Sequence, residues 1–321
     1  MYTSIVVPLD GSEFGNRALP VALMLASRSE AAVHLVHVQE PLVLLEGAPM
    51  YDTRLYHDQQ QETRSYLTAI AARFTQEASL RVDAEFLEGR VVPALQRYLE
   101  DRRHDLVVMM THGRGGLSRA WLGSVADGLV RHAPVPLLLM REETEWLRNP
   151  IEPLFRRVLI PLDGSAMAEE VLDHVVSLGT LDETVYALLT VVGQQTPLEY
   201  PHPDSDAISG RSHVEQQRDA ALSYLTGVAE ELRKSGAQVE AQVEVHHQPA
   251  QGVLDFANER HIDLIALSTH GRGAMSRLFL GSLADKVVRG TTVPILVYRP
   301  AGGGAASVER DGVSVTPRAA A

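Results

Sequence analysis

Short apolar runs alternate with amphipathic stretches of helical length along most of the chain. In the first half the apolar runs fall near residues 4–9, 32–39, 81–87, 105–110 and 135–140. Strands separated by helices in this way are typical of parallel βαβ units. The first, fourth and fifth runs are continuously apolar, which predicts that helices bury both faces of the sheet. The fold class is therefore α/β, a doubly wound open parallel sheet of five strands.

The same pattern occurs twice because the chain repeats itself. IVVPLDGS ends at Ser12, and VLIPLDGS ends at Ser165, 153 residues later. Two longer pairs of segments lie 158 residues apart, 65–74 with 223–232 and 104–127 with 262–285. Such a repeat predicts two copies of one domain in tandem. We place the first domain at 1–141, a linker at 142–155, the second domain at 156–299 and a disordered tail at 300–321.

Composition narrows the possible functions. The 321 residues include no cysteine, which excludes disulfides, zinc-thiolate sites and thiol nucleophiles. The net charge of −12 disfavours nucleic acid as a partner, because phosphates attract a basic face. No apolar run approaches the roughly 18 residues of a membrane span, and the amino terminus lacks the features of a secretory signal. We therefore expect a cytoplasmic protein that binds neither nucleic acid nor membrane.

The strongest candidate for chemistry is THGRGGLSRAWLGSVAD at 111–127, with its twin at 269–285. Glycines such as Gly113 and Gly123 let the backbone approach phosphate oxygens without a Cβ in the way. The amides of Ser124 and Val125 would be unpaired donors at a helix start, as would those of Ser282 and Leu283, and the helix dipole favours an anion there. The alternative is that Ser124 only caps the helix, in a capping box with Asp127. The matched spacing in both copies favours the phosphate cradle.

Two other residue types leave alternatives open. Asp10 and Asp163 end the first strand of each copy, where a carboxylate could accept hydrogen bonds from a ribose hydroxyl or an adenine amino group. Each could equally be a turn residue that caps the next helix through the Asp-Gly-Ser sequence. His112 and His270 invite an acid–base role, but a structural hydrogen-bonding role is favoured because no positioned partner stands beside them in the sequence.

These residues resemble the universal stress protein family, whose nucleotide-binding members carry G-x2-G-x9-G-(S/T) after the fourth strand. The resemblance extends over nearly the whole chain, in two successive copies. The last three positions of the motif match Gly113, Gly123 and Ser124 in copy one, and Gly271, Gly281 and Ser282 in copy two. The first glycine is replaced by Met110 in copy one and by Ser268 in copy two. The family's adenosine pocket carries over to Pro8, Asp10 and Val38, and to Pro161, Asp163 and Val191. The fold implied is Rossmann-like, similar to that of the adenine nucleotide alpha hydrolases.

The resemblance implies a stress-response protein that holds ATP, with Mg²⁺, and hydrolyses it slowly or not at all. No catalytic residue or metal-ligand cluster is assigned, and the Walker motif G-x4-G-K-(S/T) is absent from the sequence. Because serine is smaller than methionine, we expect the site of copy two to be the less obstructed. The alternatives are an interaction module with vestigial pockets and a weak ATPase or adenylyl-transfer enzyme.

The resemblance also implies how the copies assemble. The fifth strands, within PVPLLLM and TVPILVYR, are apolar edge strands that need covering. We expect them to pair with each other and make one chain an internal pseudo-dimer. Association of two chains into a homodimer is a further possibility.

Overall fold

Two compact units divide the chain, residues 1–151 and residues 152–321. The computed structural model describes nine stretches, 1–41, 53–78, 80–102, 104–111, 122–141, 155–179, 183–193, 207–269 and 281–300. Almost all of the predicted linker and tail, and both glycine-rich loops up to residues 121 and 280, lie outside these residues. The predicted domain limits therefore stay predictions.

Unit 1 contains a five-stranded parallel sheet in the order β3-β2-β1-β4-β5. Its elements follow one another along the chain as β1 (Ser4–Pro8), α1 (Glu13–Asn16), α2 (Leu19–Ser29), β2 (Ala32–Gln39), α3 (Thr53–Ala78), β3 (Val82–Glu88), α4 (Val91–Asp101), β4 (Leu106–Met110), α5 (Ser124–His132) and β5 (Leu137–Met140).

Unit 2 repeats this order, with the sheet β8-β7-β6-β9-β10. Its elements are β6 (Arg157–Pro161), α6 (Ala166–Glu169), α7 (Val171–Leu178), β7 (Val185–Gly193), α8 (Ala207–Lys234), β8 (Gln238–His246), α9 (Pro249–Glu259), β9 (Leu264–Ser268), α10 (Ser282–Gly290) and β10 (Ile295–Tyr298). The predicted doubly wound parallel sheet, present twice, is confirmed.

The central strands bury side chains on both faces, as their continuous apolar runs predict. Ile5, Val6 and Val7 of β1 are all fully buried, and every residue of β4 and β5 is buried as well. Successive side chains of a strand point to opposite faces, so burial at consecutive positions requires cover on both sides. The strand limits differ from the predicted ones by at most two residues.

The point where the strand order reverses lies between β1 and β4 in unit 1 and between β6 and β9 in unit 2. From β1 the chain winds outward to β2 and β3, and it then returns to the other side of β1 for β4 and β5. Ligands of open α/β sheets bind at such a reversal point, outside the carboxyl ends of the strands. The segments that follow β1 and β4 in unit 1, and β6 and β9 in unit 2, meet there.

A carboxylate ties the opposite, amino ends of the central strands together in each unit. Asp105 accepts hydrogen bonds from the Thr3 amide and hydroxyl, both at 2.8 Å, and from the Ser4 amide at 2.9 Å. Asp263 accepts from the amides of Arg156 and Arg157, both at 2.9 Å. Hydrogen bonds to a charged acceptor are stronger than neutral ones, so these bonds fix the start of β1 against β4 and of β6 against β9.

No helix in the described stretches is both long enough and apolar enough to pass through a bilayer.

Candidate functional site

The turn after β1 orients the Asp10 carboxylate. Asp10 Oδ1 accepts hydrogen bonds from the Ser12 amide at 3.0 Å and from the Ser12 hydroxyl at 2.5 Å. Ser12 Oγ in turn accepts from the Gly15 amide at 3.0 Å and so caps helix α1. Gly11, in the middle of this turn, has a φ of 79°, a conformation that favours glycine. The turn interpretation of Asp10 is therefore correct, and it leaves Oδ2 without a hydrogen bond within the described part of the chain.

Unit 2 builds the same turn from Asp163. Its Oδ1 accepts from the Ser165 amide at 2.9 Å and from the Ser165 hydroxyl at 2.6 Å. Ser165 Oγ accepts from the Ala168 amide at 3.2 Å and caps α6. A turn that fixes one carboxylate oxygen also aims the group, so the structural interpretation and the ligand interpretation are compatible.

The segment after β4 closes back onto the strand through one backbone hydrogen bond. The Gly123 amide donates to the Thr111 carbonyl at 2.9 Å, and helix α5 begins at the next residue, Ser124. Gly123 is the N-cap residue and no side chain caps this helix, so the capping box with Ser124 is wrong. Asp127 instead pairs with Arg131 at 2.9 Å, one turn further along the helix.

The equivalent closure in unit 2 shows why this position is glycine. The Gly281 amide donates to the Thr269 carbonyl at 2.8 Å, and α10 begins at Ser282 with no side-chain cap. A Cβ on Gly281 would lie 3.0 Å from the Thr269 carbonyl oxygen, which is closer than ordinary van der Waals contact. The φ of Gly281 is −55°, so the requirement for glycine comes from close backbone approach and not from an unusual φ.

The first amides of α5 and α10 are unpaired donors. Within the described residues, no hydrogen bond involves the amides of Ser124 and Val125, or those of Ser282 and Leu283. A helix start of this kind has unsatisfied N–H groups and the positive end of the helix dipole. Both helices start at the carboxyl edge of their sheet, so each start is chemically suited to an anion at the reversal point.

The two units differ at the position of the first motif glycine. Met110 ends β4, is 6% exposed and lies opposite Met140 of β5. Ser268 ends β9 and lies opposite Tyr298 of β10, and its buried hydroxyl oxygen has no hydrogen-bond partner among the residues that the structure describes. A buried hydroxyl that lacks a partner is energetically unfavourable, whereas a buried methionine needs none.

The remaining predicted pocket residues lie on the first and second strands. Pro8 and Pro161 end β1 and β6, and both are partly buried. Val38 lies near the carboxyl end of β2 opposite Leu87. Val191 occupies the matching place in β7, where its Cγ1 would be 3.1 Å from a Cβ on Gly252 of α9. The predicted residues that the structure describes therefore lie at the carboxyl ends of the strands in each sheet.

In unit 2, the residue opposite Ser268 is Tyr298, and its surroundings keep its hydroxyl protonated. Burial raises the pKa of Tyr298, and the nearby carboxylates of Glu170 and Asp173 raise it further. The hydroxyl of Tyr298 is therefore neutral at physiological pH and able to donate a hydrogen bond. The ring of His174 lies 4.2 Å from the Tyr298 ring, between centroids.

Sequence reasoning missed a contact that holds the aspartate turns. Tyr224 of α8 donates to Glu169 Oε1 of α6 at 2.8 Å, and Tyr66 of α3 accepts from Asn16 Nδ2 of α1 at 2.6 Å. Each bond joins a long helix to the one-turn helix that follows the aspartate. Tyr66 and Tyr224 occupy equivalent places in the repeated SYLT segments, which is the signal that could have revealed them.

Several predicted residues lie outside the described part of the chain, namely Gly113, Gly271, His112 and His270. In the part that is described, no group of three or more histidine, aspartate or glutamate side chains could hold a metal ion.

Comparison with known proteins places the chain in a family. The model of the universal stress protein family matches residues 1–141 and again residues 154–299. The chain therefore belongs to the universal stress protein family, as a tandem member with two such domains.

Relatives share this tandem arrangement over almost their whole length. Universal stress protein Rv1996 of Mycobacterium tuberculosis is 28% identical over 92% of this chain and 94% of its own. Universal stress protein Rv2005c of the same organism is 25% identical over 92% of this chain and 96% of its own. The crystal structure of a universal stress protein from Archaeoglobus fulgidus covers 92% of this chain and 98% of that one, with a TM-score of 0.64 at 18% identity, which supports the fold.

The capping turn of unit 2 generates a stability prediction. Ser165→Ala removes the hydroxyl that bonds both Asp163 Oδ1 and the Ala168 amide. We expect the free energy of unfolding to fall by about 1 kcal/mol, the usual loss for an N-cap serine. Urea denaturation followed by circular dichroism measures this change, with Ser223→Ala on the exposed face of α8 as the control. Equal stability of the two variants would contradict the capping role.

Proposed function

We propose that the chain is a cytoplasmic stress-response protein that holds ATP in its two units and hydrolyses it slowly or not at all. The observation that carries this proposal is the pair of unpaired helix starts at Ser124 and Ser282, each beside an oriented aspartate at the reversal point. Free amides suit the phosphates of a nucleotide, and the aspartate suits its sugar or base.

Each part of the site would hold one part of the nucleotide. The amides of Ser124 and Val125, and of Ser282 and Leu283, would donate to phosphate oxygens. Asp10 and Asp163 have one carboxylate oxygen fixed by a serine, which presents the group in a defined orientation. In line with the family pattern, the apolar surfaces of Pro8, Val38, Pro161 and Val191 would pack against adenosine.

Magnesium would enter with the nucleotide. Mg²⁺ is commonly bound by substrate phosphates, a few waters and one or two carboxylates, so it requires no cluster of protein ligands. The acidic side chains in the first turns of α5 and α10, Asp127 and Asp285, pair with Arg131 and Arg289 at 2.9 Å each. We therefore assign the protein no metal site of its own.

Slow or absent hydrolysis fits the chemistry of the described side chains. A catalytic base must reach the attacking water and must be free to accept its proton. Asp127 and Asp285, in the first turns of α5 and α10, are engaged with arginines. We infer that ATP acts as a ligand whose presence favours one state of the protein, and not as a fuel.

We further propose that β5 and β10 pair within one chain as an internal pseudo-dimer. Both strands are apolar, which makes them unsuitable as exposed sheet edges. Nucleic acid is not proposed as a partner, because the acidic chain would repel phosphate backbones.

A second candidate function is an interaction module whose pockets do not bind nucleotide. The side chain of Met110 favours this alternative, since it replaces a glycine at the site of unit 1 and is itself packed in the core. A weak ATPase is the third candidate.

Ligand carried through purification tests the proposal. The chain, expressed in bacteria and purified without added nucleotide, is denatured and the released small molecules are identified by mass spectrometry. We expect adenine nucleotide at close to one molecule or more per chain. Release of no nucleotide, together with no binding of added ATP, would favour the interaction module, and multiple turnover of added ATP would favour the enzyme.

The difference between Met110 and Ser268 predicts unequal sites. We expect calorimetric titration with ATP to resolve a tighter site, in unit 2, and a weaker one, in unit 1. Ser268→Met should weaken the tighter site by about tenfold, the effect of overpacking by 1 to 2 kcal/mol. Met110→Ser should strengthen the weaker site, whereas the size-matched control Met110→Leu should leave it unchanged. Loss of the tighter site in Met110→Ser would overturn this assignment.

A further inference from the structure

A buried cluster of titratable side chains lies at the amino ends of the strands of unit 1, opposite the edge of the candidate site. His104 precedes β4 and is 4% exposed, and its Nδ1 lies 2.7 Å from the Ser4 hydroxyl of β1. The His104 ring stacks on Tyr98 of α4 at 4.6 Å and meets the edge of His34 of β2 at 4.8 Å, between centroids. These four side chains, here called the histidine cluster, join β1, β2, α4 and the segment before β4.

Three polar atoms of the cluster have no hydrogen-bond partner within the described residues. They are His34 Nδ1, His104 Nε2 and the Tyr98 hydroxyl oxygen, and all three are buried. The nearest carboxylate to His34 Nδ1 is Asp83 Oδ2, at 3.9 Å, which is beyond hydrogen-bonding distance. The cluster therefore packs as neutral rings. Among the described residues, no carboxylate is hydrogen-bonded to either histidine ring to stabilise its protonated form.

The charged groups around the cluster come from each element packed against it. From β3 and the residue before it, Asp83, Glu85 and Arg81 act on His34. Asp83 is paired with Arg81 and Glu85 with Arg102, each at 3.0 Å. From the end of α4, the Arg102 guanidinium lies 5.4 Å from the Tyr98 ring. Asp105 faces His104, but three hydrogen bonds from Thr3 and Ser4 engage both of its oxygens.

Burial is the main factor that opposes protonation of both histidines. Burial lowers the pKa of His104 to about 4, and the neighbouring His34 and Arg102 contribute in the same direction against Asp105. Burial also lowers the pKa of His34, against the attraction of Asp83 and Glu85. Burial raises the pKa of Tyr98 to about 12, so its hydroxyl stays neutral.

Unit 2 has the same fold without this cluster. By the repeat, the places of His34, Tyr98 and His104 are taken by Ala187, Phe256 and Ile262, which are all buried and apolar. The aspartate that ties the strand ends is retained as Asp263. Unit 2 is therefore a natural control for what the cluster adds to unit 1.

We propose that the histidine cluster makes unit 1 acid-sensitive: protonation of His34 and His104 places two like charges in a buried contact and loosens β1, β2 and α4, while unit 2 is unaffected. Like charges at this distance repel, and neither has an unengaged carboxylate within hydrogen-bonding reach. The device is independent of nucleotide binding, because it lies at the opposite edge of the sheet.

The direction of the effect follows from proton linkage. A histidine whose pKa is lower in the folded state than its ordinary 6.5 binds its proton more readily when unfolded. The folded state of unit 1 is thus favoured above pH 6.5 and becomes less favoured as the pH falls towards 4. For His104 alone, the equilibrium constant for opening of unit 1 rises about tenfold when the pH falls from 7.5 to 5.5. In unit 2, partial burial raises the pKa of Glu170, which acts in the opposite direction.

Hydrogen exchange of the full chain, corrected for the intrinsic rates at each pH, tests the proposal. Between pH 7.5 and 5.5 we expect the protection of β1, β2 and α4 to fall by about tenfold or more. Protection of β6, β7 and α9 should not fall. The variant His34→Ala, Tyr98→Phe, His104→Ile, which copies unit 2, should lose this pH dependence. The control His57→Gln, on the exposed surface of α3, should retain it.

Two results would overturn the proposal. One is an equal loss of protection in both units, and the other is a loss in unit 1 that persists in the triple variant. If the triple variant does not fold, the single variant His104→Gln and an NMR titration of the wild-type histidines decide the matter. A His104 that titrates at or above pH 6.5 in the folded chain would then exclude the device, and one that titrates well below it would support it.

Discussion

One backbone hydrogen bond in each unit determines how the candidate site is built. The Gly123 amide donates to the Thr111 carbonyl, and the Gly281 amide donates to the Thr269 carbonyl, so each segment returns to the end of its strand before a helix begins. The next amides have no hydrogen-bond partner in the described part of the chain and form the start of a helix at the sheet edge. A Cβ would crowd the Thr269 carbonyl, so the close return, the glycine and the free donors depend on one another. The fixed aspartates and the apolar strand ends complete a site that suits a polyphosphate nucleotide.

Much of the fold and part of the site could be predicted from the sequence. Consecutive apolar residues predicted the central strands, because such a run is visible within a few neighbouring positions. The repeat predicted two units, because it is found by comparing the sequence with itself. The helix starts at Ser124 and Ser282 were predicted, and the structure rejects the less favoured alternative that Ser124 caps the helix, since Gly123 closes onto Thr111 and takes the N-cap position. The contact between His34 and His104 could not be predicted, because residues so far apart in sequence meet only after the sheet has formed.

The two units share a fold but differ in chemistry at both edges of the sheet. At the carboxyl edge, Met110 fills in unit 1 a position where unit 2 has Ser268 with an unpartnered hydroxyl. At the amino edge, unit 1 has the histidine cluster where unit 2 has apolar side chains. At each of these places, one unit has a polar side chain where the other unit has an apolar one. Tandem repetition therefore gives one chain two units of the same fold with different side chains at both ends of their strands.

The central claim is that the free amides at the starts of α5 and α10 bind the phosphates of ATP. Its most direct test is calorimetric titration of ATP into a chain with Gly123→Val, Ser124→Leu, Gly281→Val and Ser282→Leu. Gly227→Val, at a place in α8 where a side chain meets open space, is the matched control. The account predicts a loss of affinity of about 100-fold in the quadruple variant and none in the control. Unchanged ATP affinity in a folded quadruple variant would contradict it.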